Sequence, residues 1–139
     1  MNVYKVVYRE GWDLYSALKA NMRKVPLSRR LKRQILKYSQ DKITFAPSKR
    51  HPIAAFNTFE GAVFFAHMLK TCHPHNIEIW EAKAWPSDFI PFNELSYNSL
   101  HPDSITFLQY WFDKTLEGDS GHWPKDTVFC KAIILIKRC

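Results

Sequence analysis

Glycine is scarce in this chain, four residues in 139, and none stands in the clustered arrangement that lets backbone amides close around a phosphate. A Gly-rich nucleotide loop is therefore excluded. Cysteine is scarcer still: Cys72, Cys130 and Cys139 are too few and too odd in number for a disulfide framework. No apolar run approaches a membrane span, and the opening Met-Asn-Val-Tyr-Lys lacks a signal-peptide core. These absences predict a reducing, cytoplasmic setting (the host cytoplasm if viral) and no membrane partner. Acid is short in one place above all. Between residues 19 and 50, eleven Lys and Arg face the single Asp41, while the other 107 residues carry nine bases and twelve acids.

That segment is the strongest feature present. It holds Lys19, Arg23, Lys24, Arg29, Arg30, Lys32, Arg33, Lys37, Lys42, Lys49 and Arg50. So one-sided a charge repels itself in a compact fold, and an anionic partner relieves the repulsion. Arginine adds bidentate geometry toward phosphate and carboxylate. Tyr38, Phe45 and His51 are interleaved, so a ring could stack on a base while cations hold phosphates. The bland alternative is a solvated face. The predicted anion-binding set is Arg23, Lys24, Arg29, Arg30, Lys32, Arg33, Lys37, Lys49, Arg50 and His51, with Tyr38 and Phe45 as stacking candidates.

Elsewhere the signals are structural. Val3 to Tyr8 is β-branched and aromatic, and Glu10-Gly11-Trp12-Asp13 turns it into a second strand from Leu14, a predicted hairpin. Residues 27 to 34 fit a short amphipathic helix; Ile35 to Tyr38 and Lys42 to Phe45 flank a polar turn and read as a hairpin, although 27 to 38 could also be one helix. Ile53 to Phe56 reads as a buried strand. Asn57 and Glu60 make a capping-box-like start for a helix with Phe59, Ala62, Val63, Ala66 and Leu69 on one face, ending before Pro74. Asn76 to Ala82 alternates as a strand, a second helix is predicted from Asp103 or Ser104 to Leu116, and Val128 to Ile136 is an apolar last strand. The expectation is a single α+β domain over 1–139: a mostly antiparallel sheet of five to seven short strands with two main helices packed on it.

No catalytic pattern stands beside this. Cys72-His73-Pro74-His75 is one tight group where zinc wants spaced pairs of ligands, so no metal is expected, and no cofactor. Glu78 and Glu81, three apart on a strand, point to opposite faces and cannot share a substrate. Ser16 and Thr58 have no neighbouring base to activate them.

Several blocks together resemble a loose group of small uncharacterised phage-encoded and bacterial proteins. They are Tyr4-Lys5-Val6-Val7, Leu14-Tyr15-Ser16-Ala17, Tyr38 to Pro47, Ala55 to Ala62 with Phe65-Ala66, Ile77 to Ala82, Trp123 to Val128 and Ile134 to Arg138. The resemblance implies a shared fold and makes a counter-defence or regulatory role the biological expectation. Ala55-Phe56-Asn57-Thr58 with Ala62, Phe65 and Ala66 is also similar to the strand-to-helix region of ADP-ribosyltransferases, which implies the alternative of an NAD-dependent enzyme; Asn57-Thr58 stands here where that family has Ser-Thr-Ser. The leading expectation is non-enzymatic: capture of a nucleotide, a nucleic acid or an acidic protein surface through residues 19–50. Inhibition of a host protein by charge complementarity is the third reading, and homo-oligomerisation is left open.

Overall fold

The computed structural model of the protein describes residues 1–17, 19, 35–72, 76–89 and 126–139, the side chains of 68–72 excepted. Within them run β1 (Asn2–Glu10), β2 (Asp13–Ser16), β3 (Lys37–Tyr38), β4 (Ile43–Phe45), β5 (Ile53–Phe56), α1 (Phe59–Cys72), β6 (Ile77–Pro86) and β7 (Thr127–Arg138). All pairings are antiparallel.

β6 lies between β1 and β7, and β5 also joins β7 to β1, so β1, β6, β7 and β5 close on themselves as a four-stranded barrel. β2 and β3 extend it from the second half of β1, and β4 extends it along the second half of β7. This corrects the α+β expectation. Strands dominate the described residues, and α1 is the one helix among them. The second predicted helix, near 103 to 116, lies outside the described residues, as does 27 to 34. The local alternation of β1, β6 and β7 reads equally well as an open sheet. Closure is a matter of long-range pairing, which leaves no local trace.

Alternation sorts the side chains into two cores. Val3, Val7, Trp80, Ala82, Ala84, Ile133 and Leu135 fill the barrel interior with Ile53, Ala55 and Cys130. A four-stranded barrel is narrow, so one large ring, Trp80, is accommodated by alanines at Ala55, Ala82 and Ala84. The opposite face of β1 and β6 presents Val6, Tyr8 and Ile77, and α1 covers it with Ala62, Phe65 and Ala66. The helix is thus rotated from the predicted face: Phe59 and Val63 are exposed. Alanines at 62 and 66 allow close approach to the sheet, and Phe65 rather than Phe59 fills the gap.

Two turns steer the chain. Gly11 has φ 61° at the first loop position between Glu10 and Asp13, the conformation of a two-residue hairpin that favours glycine there. After β3, Gln40 Nε2 donates to the Ile136 carbonyl and the Asp41 amide to that of Leu135. The chain is thereby delivered to β7, so β3 and β4 pair with β2 and β7 and not, as predicted, with each other.

Candidate functional site

Of the predicted anion-binding residues, Arg23, Lys24, Arg29, Arg30, Lys32 and Arg33 lie outside the described residues. The rest divide into engaged and open cations. Lys37 on β3 pairs with Asp13 Oδ1 at 3.2 Å. Lys19 pairs with Glu10 Oε2 at 3.0 Å and lies 3.5 Å from the centre of the Tyr15 ring. Acids of the first hairpin therefore neutralise both. Lys42, Lys49 and Arg50 are exposed and form no ion pair among the described residues. Lys49 and Arg50 sit at the tip of a turn closed by the Ser48–His51 bridge, with Ser48 Oγ and His51 Nδ1 2.6 Å apart. His51 is held in the turn's own bonding.

The two stacking candidates part company. Tyr38 is opposite Leu14 and faces the barrel core, only 3% exposed. It is not a surface ring, and the expectation of stacking there is corrected. Phe45 is 63% exposed on β4.

Register shows what accompanies Phe45, because directly paired residues point to the same face. Phe45 pairs with Ala132, and Ala132 with Trp85. Ile43 pairs with Ile134, and Ile134 with Lys83. These two rows stand on the outer face of β4, β7 and β6, opposite the interior residues Thr44, Ile133 and Ala84. Ile43 and Ile136 are exposed, Trp85 and Ile134 are half-buried, and Lys83 Nζ lies 5.7 Å from the Trp85 ring centre. The packing of α1 is against β1, β5 and β6. Trp85 and Lys83 were absent from the predicted set. Their signal was parity: Trp80 and Trp85 are five apart on one strand, so one faces in and the other out.

The buried polar groups are structural. Lys5 enters the barrel between β1 and β5, where the pairing is a single register, Tyr4 with Phe56. Its Nζ donates to the Ala54 carbonyl at 2.7 Å and lies 5.7 Å from the Tyr38 ring centre. Burial lowers its pKa to about 8, with the nearby Cys130 acting the other way. Burial also pushes the Cys130 thiol up to about 11 and raises Tyr38, whose hydroxyl is bonded to Ser16. At the barrel end Glu78 accepts from Arg9 Nη2 at 3.0 Å, from Arg9 Nε, and from Trp80 Nε1 at 3.1 Å. Burial alone would raise that carboxyl; the Arg9 and Trp80 bonds and the Arg9 and Arg138 charges outweigh it and hold it below the ordinary range. Glu81 is exposed on the other face. Thr58, in the ADP-ribosyltransferase-like stretch, caps α1: its Oγ1 accepts from the Gly61 amide at 3.1 Å and donates to Asp126 Oδ2 at 2.7 Å.

His73, Pro74 and His75 lie outside the described residues, as does the Cys72 side chain; among the described residues no His, Cys, Asp and Glu group could hold a metal ion. No helix there is long and apolar enough to cross a membrane. Comparison with known proteins yields no protein-family model, no curated protein and no solved structure that matches the chain.

Proposed function

We propose that the protein is a binding protein that captures an anionic partner, a nucleotide or nucleic acid before an acidic protein surface, through residues 19–50. The observation that carries this reading is the contrast within the segment. Its described cations near the first hairpin are neutralised by Glu10 and Asp13, while Lys42, Lys49 and Arg50, with no acid partner among the described residues, stand on either side of an exposed aromatic ring, Phe45. Cations left without acids raise the local potential and attract a polyanion. Open lysines and a tip arginine are placed to take phosphates. The phage-type resemblance makes counter-defence the biological form of the same reading.

Fluorescence anisotropy with labelled single-stranded DNA across a sodium chloride series tests it, with heparin as a second polyanion. Binding should weaken steeply with salt, and charge reversal of Lys49 and Arg50 should flatten the log–log slope by roughly 0.7 per lost contact. Failure to bind either polyanion at low salt would refute the proposal.

A further inference from the structure

We infer that the outer face of β4, β7 and β6 is a base-stacking platform for single-stranded nucleic acid. This rests on the anion-binding reading above and specifies its partner. Phe45 and Trp85 flank Ala132 in one row, so two aromatic side chains stand two strand spacings apart, about 10 Å. Between them lies Ala132, itself buried at 3% exposure. That spacing gives each ring its own base. The next row, Ile43–Ile134–Lys83, extends the apolar surface and ends on a cation.

Single exposed apolar residues are ordinary, but Phe45 at 63%, Ile43 at 45% and Ile136 at 44% lie on adjoining positions of one sheet face. The charges around them choose the occupant. Lys42, Lys83 and Lys131 are exposed on these strands or beside them, and the Lys49–Arg50 turn follows β4; among the described residues Asp41, Glu81 and Asp88 are the exposed acids nearby. These cations outnumber those acids five to three. Lysine is depleted at protein–protein interfaces, whereas aromatic rings set among phosphate-binding cations are the usual single-strand surface. A duplex keeps its base faces stacked and offers the rings nothing. On binding, Lys83 would leave the Trp85 ring for a phosphate, freeing that ring for a base.

The test is anisotropy with a fluorescein-labelled oligothymidylate, a duplex of equal length, and heparin. Phe45→Ala is expected to weaken oligothymidylate binding on the order of tenfold, to leave heparin binding unchanged, and to keep the wild-type circular dichroism. Phe45→Tyr should retain affinity. Should the alanine variant disturb the fold, Phe45→Leu carries the same test, since it keeps apolar area without a π face. Equal affinity of Phe45→Ala for the oligonucleotide, or a duplex bound as tightly as the single strand, would overturn the platform while leaving general polyanion binding intact. Heparin bound without oligothymidylate would also overturn it. If no polyanion binds, both readings fall together.

Discussion

Lys5 shows how one side chain can serve closure and still cost stability. Its ammonium supplies the donor that the sparsely paired β1–β5 seam lacks, yet burial disfavours its charge. The folded pKa of about 8 lies below the ordinary 10.5, so between those values the unfolded chain holds a proton that the folded one has released. Stability therefore rises with pH across that window, and the full cost is present below pH 8. Cys130 opposes this: its folded thiol keeps the proton to about 11, so its contribution falls as the pH climbs above 9. Tyr38, raised above 10, acts in the same sense later. Urea denaturation of the wild type should show stability increasing from pH 8 to about 9 and then levelling. Lys5→Met should abolish the rise. A wild type whose stability is flat from pH 7 to 9 would contradict a buried ammonium.

At the scale of elements, α1 depends on its first turn. Thr58 caps the Gly61 amide and ties the helix to Asp126, which takes φ 67° just before β7. Thr58→Ala should cost about 1 kcal/mol, read as a lower urea midpoint at unchanged m; no change would mean that the cap is dispensable. The sequence offered Asn57 with Glu60 as the cap, one residue too early, because both residues have the right chemistry and only the position of Asp126 selects between them: its carbonyl engages the Asn57 amide. The same limit runs through the strands. The alternation of Ile77, Ile79 and Glu81 against Glu78, Trp80 and Ala82 is local and was legible. The partner of β4 was not, since Ile43 and Phe45 pair with residues about ninety positions on. In the site, Phe45 and Tyr38 look alike as aromatics in a basic stretch. Pairing separates them, turning Tyr38 inward beside Leu14 and Phe45 outward beside Ala132.

For the molecule as a whole, the barrel is unevenly sewn. β6 is paired along both edges, to β1 over Asn2–Tyr8 and to β7 over much of its length, whereas β1 and β5 share one register. Hydrogen exchange should therefore find β6 amides limited by global unfolding, and the β1-facing amides of β5 exchanging roughly tenfold faster or more through local opening of the seam. Uniform protection around the barrel would argue against a weak seam. The order of the strands has another consequence. β7 provides partners for β4, β5 and β6, and all three precede it in the chain. Paired residues of β1 and β6 are themselves 69 to 81 positions apart, from Tyr8 with Ile77 to Asn2 with Lys83. During synthesis, a polypeptide that has left the ribosome only as far as β6 carries open strand edges, the templates on which chains aggregate. Nascent chains stalled ahead of Thr127 should stay sensitive to protease, and resistance should appear only once β7 has cleared the exit tunnel. Folding of this barrel then waits on its last strand, and the interval before β7 emerges is when the chain most needs a chaperone.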